Sequence, residues 1–209
     1  DVEIPEKIQD DEVVNDNGII NNTVSLYGSS YINHDEFKTH LSKKESINFI
    51  YKPILLGGLH KLAGITAPAF IKSKKKFIFQ DCQMIANKFN INFKFNDKFP
   101  INSLNLMRSV LVINKELKNK YIDHFFDAYW SFNIDLSDQK NIKNILQKIQ
   151  INVNNFFNDI KKQETKDLLK KLTKEVFDKE IFGAPTFIVN NKLFWGQDRL
   201  DYAIDEFLN

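Results

Sequence analysis

Residues 182–189 read FGAPTFIV and residues 194–200 read FWGQDRL, and together they decide the fold. The pattern predicts a helix that ends at Gly183, a strand opened by Pro185, a two-residue asparagine turn, a second strand and a new helix. Proline donates no hydrogen bond, so it is unusual at the start of a buried strand. It is tolerated where the preceding backbone faces a ligand, often through a cis bond. The stretch therefore predicts a ligand-binding edge at the peptide before Pro185.

The segments upstream predict a β-α-β unit. Residues 23–27 and 47–51 have the character of two short strands, and a helix is expected between them at about residues 35–43. Residues 1–22 are acidic, rich in asparagine and without a clear period, so we expect an irregular N-terminal arm there.

Helical periodicity dominates the middle of the chain. The apolar residues that recur at helical spacing are Ile78, Cys82, Ile85 and Phe89, then Leu104, Met107 and Leu111, then Tyr121, Phe125 and Tyr129, and finally Leu168, Leu172 and Val176. The order β-α-β, helical block, β-β-α predicts an α/β protein with a thioredoxin-like fold that a helical insertion splits. We assign residues 23–56 and 183–209 to the thioredoxin-like domain and residues 57–182 to the helical insertion.

Composition limits the classes of function. The 209 residues include 29 Lys or Arg and 27 Asp or Glu, and a net charge of +2 argues against nucleic acid as a partner. No run of about 18 apolar residues could cross a membrane, so no membrane partner is expected. The single cysteine excludes an internal disulfide and a two-cysteine redox motif, and it fits a reducing compartment. We expect a cytoplasmic protein, or one of the mitochondrial matrix in a eukaryote.

The histidines and the cysteine predict no reactive site of their own. The 4 histidines show no ligand spacing with Cys, Asp or Glu, so no metal site is expected. Cys82 lies on the apolar stripe of its predicted helix, where cysteine usually packs as a small hydrophobic residue.

Ser29 and Ser30 follow the first strand, and they are the candidate catalytic residues. Either serine could simply cap the next helix. Alternatively, a hydroxyl there could hydrogen-bond a thiolate, because a helix N-terminus lowers the pKa of a thiol through its dipole and free N–H groups. The spacing alone favours neither interpretation.

Asp198 also has two interpretations. Aspartate is favoured as a helix N-cap. The same helix start could instead receive a carboxylate on its free N–H groups while Asp198 binds an ammonium group. The γ-glutamyl end of glutathione carries both charges on one carbon, and the nearby Ala184-Pro185 peptide favours this ligand, although both roles can coexist. Lys74, within a run of lysines, is by itself typical of a solvated helix face.

Several segments together resemble one known family. They are YKPILLGGL at 51–59, Lys74 seven residues before Asp81, FPINSL at 99–104 followed by Met107-Arg108, AYW at 128–130, DLSD at 135–138, GAPTF at 183–187 and WGQDRL at 195–200. In this order they resemble the 2-hydroxychromene-2-carboxylate isomerase family, which is part of the kappa-class glutathione transferase and DsbA-like group.

The resemblance implies a thioredoxin fold with a helical insertion, and glutathione as the cofactor. By that similarity, the backbone of Ala184 beside Pro185 would meet the cysteine of glutathione. Gln197 and Asp198 would meet its γ-glutamyl group, and Lys74 its glycine carboxylate.

The resemblance also bears on the substrate side. Asn102 falls in a family segment near the active site, and Trp195 could form a wall for an aromatic substrate or pack in the core. Ser29 matches the catalytic serine of the family, whereas Ser30 replaces a proline and the preceding aspartate is missing. Ile65 stands where the family often has an asparagine.

These expectations converge on one leading hypothesis. The protein would be a glutathione-dependent isomerase that acts on an aromatic or conjugated carboxylate through a bound glutathione thiolate. Two alternatives stay open, namely glutathione transfer to an electrophile and a non-catalytic glutathione-binding or scaffold protein. Disulfide oxidoreduction is disfavoured, because no second cysteine could resolve a mixed disulfide. Relatives in the group are commonly dimeric, so the resemblance implies a homodimer.

Overall fold

The structure, a computed structural model, describes residues 23–28 and 48–208. Its strands are β1 (Thr23–Gly28), β2 (Asn48–Pro53), β3 (Thr186–Val189) and β4 (Lys192–Trp195). Its helices are α1 (Leu56–Leu62), α2 (Lys72–Phe89), α3 (Leu104–Val112), α4 (Lys115–Trp130), α5 (Gln139–Lys148), α6 (Val153–Asp159), α7 (Gln163–Asp178) and α8 (Leu200–Leu208), with 3₁₀ turns at Pro68–Phe70 and Gln197–Arg199. The expected arm at 1–22, the expected helix at 35–43, and Ser29 and Ser30 lie outside the described residues.

The strands form a sheet in the order β2-β1-β3-β4. β1 is parallel to β2 and antiparallel to β3, and β3 is antiparallel to β4. Gly28 pairs with Pro53, and Thr186 lies between Tyr27 and Trp195. The ends of β1, β2 and β4 therefore meet the start of β3 at one edge of the sheet, which we call the Pro185 edge.

The turn between β3 and β4 matches the prediction. Asn190 and Asn191 both have positive φ, at 48° and 59°. Two consecutive residues of this kind make the tight hairpin turn whose twist matches that of the flanking strands, and asparagine tolerates the conformation better than most residues.

Both faces of β3 are covered. Phe187 and Val189 point to one face and pack with Leu200, Ala203 and Ile204 of α8. Ile188 points to the other face, since side chains alternate along a strand. It packs there against a second cluster, whose buried members are Leu59 of α1, Val176 of α7, and Ile54 and Ile181 in the segments that follow β2 and α7. Packing on both faces of the sheet thus holds β3 in place.

The largest described cluster lies in the helices and touches the sheet through Tyr51 of β2. Its buried members come from α3 to α6 and the segments between them, with Tyr121, Phe125, Tyr129 and Trp130 on α4. The three α4 residues predicted to share a face, at 121, 125 and 129, are all buried. None of the described helices is long and apolar enough to cross a membrane. The division of the chain into a thioredoxin-like domain and an insertion stays a prediction.

The predicted helix stop at Gly183 is wrong. α7 ends at Asp178, and Glu180 takes the left-handed conformation with φ of 61°. The N–H of Glu180 donates to Phe177 and that of Ile181 donates to Val176, which is the Schellman pattern. Ile181 and Val176 also pack together, so a glutamate terminates the helix and Gly183 serves another purpose.

Candidate functional site

At the Pro185 edge, hydrogen bonds hold the residues on both sides of Ala184. The predicted cis bond is present between Ala184 and Pro185. The Thr186 hydroxyl donates to the Gly183 carbonyl at 2.7 Å, and the Gly196 N–H donates to the Pro185 carbonyl at 3.0 Å. No hydrogen bond among the described residues uses the N–H or carbonyl of Ala184. The neighbours of Ala184 therefore hold its backbone in place, and its N–H and carbonyl have no hydrogen-bond partner within residues 23–28 and 48–208.

The side chain of Ala184 does not block this access. Ala184 is half-buried and packs against the apolar cluster built on Leu59 of α1 and Val176 of α7. The methyl group thus anchors the residue from the core side. An Ala184 sealed beneath other side chains would have excluded a ligand at this position.

An exposed aromatic pair flanks Ala184. The Phe182 and Trp195 rings are 4.9 Å apart between centroids and tilted by 60°, and Trp195 is 51% exposed. The indole lies on Gly183, where an added Cβ would come within 2.5 Å of Trp195 Nε1. Glycine at 183 is required for this close approach. This exposure is compatible with Trp195 as a wall for a substrate and is not compatible with Trp195 as a core residue.

The structure places Gln197 and Asp198 in the turn that leads from β4 into α8. Asp198 lies inside the 3₁₀ turn, where Gly196 holds the N-cap position, so the simple N-cap interpretation has no support. Its carboxylate accepts a hydrogen bond from Arg199 Nη1 at 2.9 Å and remains 69% exposed. Such a surface pair contributes at most about 1 kcal/mol, so a ligand can compete for the carboxylate. The N–H groups of Gln197 and Asp198 donate to no partner within the described ranges.

Gly196 makes this turn possible. Its φ of +100° is a conformation that L side chains rarely adopt, and a Cβ there would lie 2.6 Å from Asp198 Oδ1. The carboxylate of Asp198 therefore folds back over Gly196, and Gly196 in turn is tied to Pro185. Gly196 thus connects the peptide between Ala184 and Pro185 to the Asp198 side chain.

Lys74 and Asn102 are not joined to this edge by any described contact. Lys74 is exposed in the first turn of α2, a helix whose Phe79 packs on Phe95. Asn102 is also exposed, and its Oδ1 accepts the N–H of Leu104 at 3.1 Å, at the start of α3. This hydrogen bond gives Asn102 a structural role at the start of α3 that requires no ligand. The ligand roles of Lys74 and Asn102 stay predictions.

Other candidate groups give the site no further chemistry. Ser29 and Ser30 follow Gly28 of the Pro185 edge in the chain, but they lie outside the described residues. Cys82 is half-buried on α2, which does not contribute to that edge. No group of His, Cys, Asp and Glu side chains in the described part could hold a metal ion.

Sequence reasoning missed Phe182, Gly183 and Thr186 as parts of the site. Gly183 was interpreted as the end of a helix, but Glu180 adopts the left-handed conformation that ends α7. Phe182 could have been suspected, because an apolar residue beyond a helix end has no helical face to join.

Comparison with known proteins agrees with this architecture. The family described as "DSBA-like thioredoxin domain" matches residues 28–207. A curated relative, 2-hydroxychromene-2-carboxylate isomerase of Sphingobium xenophagum, is 20% identical over 164 residues, which cover 78% of this chain and 84% of that protein. The resemblance inferred from the sequence is thereby confirmed at the level of distant homology.

Solved structures agree on the fold. A 2-hydroxychromene-2-carboxylate isomerase structure matches with a TM-score of 0.77 and 18% identity, covering 88% of this chain and 93% of that chain. A putative protein disulfide isomerase from Nitrosomonas europaea matches with a TM-score of 0.63 and 12% identity, covering 89% and 97%. A probable DsbA oxidoreductase from Streptomyces coelicolor matches at 0.64 and 11%, covering 88% and 90%. With a family match over most of its length, this chain belongs to the DSBA-like thioredoxin domain family.

Proposed function

We propose that this protein is a glutathione-dependent isomerase that acts on an aromatic or otherwise conjugated carboxylate. One observation carries the proposal: the backbone of Ala184 has no hydrogen-bond partner in the described part of the chain, lies between two hydrogen-bonded neighbours, and is connected through Gly196 to the exposed Asp198 carboxylate. Distant homology to 2-hydroxychromene-2-carboxylate isomerase supports the reaction class.

In the binding step, glutathione pairs with the Pro185 edge as a short strand would. The cysteine residue of the tripeptide exchanges backbone hydrogen bonds with Ala184, which is the usual way an extended peptide adds to a sheet edge. Its γ-glutamyl carboxylate meets the N–H groups of Gln197 and Asp198, and its ammonium group meets the Asp198 carboxylate. Family resemblance would give the glycine carboxylate to Lys74.

In the chemical step, the glutathione sulfur acts as a nucleophile that is regenerated. Bound glutathione would supply a sulfur nucleophile for reversible addition to the conjugated substrate, which permits isomerisation without net gain or loss of electrons. Ser29 would favour its thiolate form by donating a hydrogen bond. The protein contributes thiolate stabilisation and orientation.

The exposed pair of Phe182 and Trp195 provides the surface for the substrate ring. It flanks Ala184, where the sulfur of a bound tripeptide would lie. Aromatic rings favour tilted or offset contacts of this kind with other rings. The single cysteine further supports a reducing compartment, the cytoplasm or a mitochondrial matrix.

A second candidate is a glutathione-binding protein without isomerase activity. The observation that favours it is the altered sequence at 29–30, where the family proline and preceding aspartate are replaced. Glutathione transfer to an electrophile needs the same thiolate as the isomerase and differs only in the fate of the adduct.

Calorimetric titration with glutathione tests the binding claim. We expect the parent to bind, and Asp198→Ala to bind at least about tenfold more weakly, because hydrogen bonds to charged groups contribute about 1.5–3 kcal/mol. Asp178→Ala, at an exposed position of α7, is the matched control and should bind like the parent. Absence of binding by all three proteins would remove the proposal.

Two activity assays separate the alternatives. Turnover of 2-hydroxychromene-2-carboxylate with added glutathione indicates the isomerase, and consumption of glutathione with a generic electrophile indicates the transferase. A protein that binds glutathione and shows neither activity is the non-catalytic alternative.

A further inference from the structure

One segment between α1 and α2 carries no charge and exposes large apolar side chains. Residues 62–71 read LAGITAPAFI, and we call them the apolar segment. Leu62, Ile65 and Phe70 leave 47%, 39% and 74% of their surface exposed. Single apolar residues on a surface are ordinary, but three large ones within one short stretch of chain mark an interaction surface.

The backbone of the apolar segment is ordered. Gly64 ends α1 with φ of 65°, and the Ile65 N–H donates to the His60 carbonyl at 2.8 Å, which is the Schellman pattern. In the 3₁₀ turn that follows, Ala69 is buried and anchors the turn, while Phe70 beside it is exposed. The exposed apolar side chains are therefore held outward by a fixed backbone.

Lysines border the apolar segment on both sides. Lys61 precedes it, and the first turn of α2 follows it with Lys72, Lys74, Lys75 and Lys76. All of these lysines are exposed, and none forms an ion pair with a described residue. Acidic and basic residues nearly balance over the whole chain, yet no Asp or Glu occurs between Glu45 and Asp81. Positive charge thus surrounds the apolar segment without an acid nearby in the chain to compensate it.

The lysines at the start of α2 do not stabilise that helix. The positive end of the helix dipole lies there, so acidic side chains are favoured and lysine is disfavoured. α2 has no acidic residue in its first turn, and no side chain caps its start. Helix stability therefore does not account for these lysines, whereas a negatively charged partner would.

We propose that the apolar segment and the lysines beside it dock this protein on the surface of an anionic lipid bilayer. Leu62, Ile65 and Phe70 enter the boundary between headgroups and acyl chains, and the lysines contact the anionic headgroups. A nucleic acid would also attract the lysines, but it offers no apolar phase to Leu62 and Ile65. An anionic bilayer accommodates both the charge and the apolar side chains.

The same geometry keeps acid away from the lipid. From Lys72 to Asp81 the axis of α2 rises about 14 Å, so a contact through the helix start includes the lysines and leaves Asp81 in water. A surface contact needs no spanning helix, and none is present among the described helices. The expectation of no membrane partner rests on the lack of a spanning run, so it does not address this kind of contact.

The inference goes beyond the proposed function and does not depend on it. Its readouts are binding to vesicles and the environment of residue 70, and neither requires glutathione. Lys74 is left unchanged in the variants below, because family resemblance gives it a role in glutathione binding.

Co-sedimentation with vesicles is the first test. We expect the parent to bind vesicles of phosphatidylglycerol and phosphatidylcholine in equal parts, and pure phosphatidylcholine vesicles at least about tenfold more weakly. Lys72→Glu/Lys76→Glu should weaken binding to the anionic vesicles at least about twentyfold, because each lysine near such a surface contributes about fivefold. This change suits the dipole of α2, so loss of the fold would not be its cause.

The lysine control is Lys140→Glu/Lys148→Glu on α5, which changes the net charge equally at two other exposed positions and should bind like the parent. A control as weak as the α2 double variant, an α2 double variant that binds like the parent, or a parent without preference for anionic vesicles would overturn the proposal. A parent that binds a single-stranded oligonucleotide and neither vesicle type would assign the lysines to nucleic acid and would also overturn it.

Removal of apolar surface is the second test. Leu62→Ser/Phe70→Ser should weaken binding to the anionic vesicles at least about tenfold, because both side chains leave the lipid. Phe132→Ser, which alters a 66% exposed phenylalanine after α4, is the matched control and should bind like the parent. Parental binding by the double variant would contradict insertion of the apolar segment. Circular dichroism confirms that each variant is folded.

A fluorescent label at residue 70 reports insertion directly. In a Cys82→Ala background, Phe70→Cys is labelled with nitrobenzoxadiazole, whose emission shifts to the blue in an apolar environment. We expect this shift when anionic vesicles are added, and no shift for the same label at Phe132→Cys. A protein that sediments with the vesicles while its label at residue 70 does not respond would show that another surface makes the contact.

Discussion

At the residue scale, one proline and two glycines shape the candidate site, because each lacks a group that other residues carry. Pro185 brings no N–H, Gly183 leaves room for the Trp195 indole, and Gly196 leaves room for the Asp198 carboxylate. Proline chemistry is local, so the sequence could predict the cis peptide, whereas the ligand-binding role of this edge stays a prediction. The reason for Gly183 is a tertiary contact with β4, which no local pattern reveals.

Gly183→Ala should destabilise the protein by about 1–3 kcal/mol, because the new methyl group would overlap Trp195 and force the indole to move. Gly57→Ala is the matched control: it lies in α1, has no atom within 4 Å of the added methyl group, and should be neutral or slightly stabilising. Urea unfolding followed by tryptophan fluorescence measures both. Equal effects of the two substitutions would contradict the packing of Trp195 on Gly183.

At the element scale, helix and strand positions follow from apolar periodicity, whereas their ends follow from cap chemistry. The stripe on α4 was predictable because its spacing reports which face is buried. The end of α7 was not, because Glu180 adopts a conformation that glycine usually takes. Similarly, Asn102 reads as a site residue in a family segment, yet its side chain accepts the N–H of Leu104 at the start of α3.

Asn191→Ala should cost about 1 kcal/mol of unfolding free energy, because alanine pays the steric penalty of positive φ in the turn between β3 and β4. Asn191→Gly is the companion variant and should not destabilise the protein, because glycine adopts this conformation freely. Thermal unfolding of the two variants provides the comparison. An alanine variant as stable as the glycine variant would argue against this turn.

His60 on α1 should make stability depend on pH. It is 8% exposed, and burial lowers its pKa below 6.5, while its Nδ1 has no hydrogen-bond partner within the described residues. The unfolded chain therefore binds a proton more readily than the folded protein, so stability falls as the pH drops below about 6.5 and levels off beneath the folded pKa.

Comparison with His60→Gln isolates this effect. The variant cannot titrate at this position, so its unfolding free energy should fall less steeply than that of the parent between pH 7 and the folded pKa of His60. Urea unfolding at several pH values measures both slopes. Parallel slopes would show that His60 is not buried in its neutral form.

At the scale of the whole molecule, four strand ends converge on one edge, and this convergence gathers residues that are far apart in the chain. Gly28, Pro53, Pro185 and Trp195 become neighbours only through the register of the sheet. The order of elements predicted that edge, because a split β-α-β and β-β-α pattern permits few arrangements. The contact between the Trp195 and Phe182 rings could be identified only from the folded structure. Under the proposed function, the backbone of Ala184 is where the tripeptide would pair with this edge.

The most direct test of this claim is amide NMR of ¹⁵N-alanine-labelled protein titrated with reduced glutathione. We predict that the Ala184 resonance shifts saturably, because its N–H gains a hydrogen bond to the tripeptide, while that of Ala203, buried in α8, stays in place. Saturable binding measured calorimetrically without any change at Ala184, or no binding at all, would contradict the role of the peptide before Pro185.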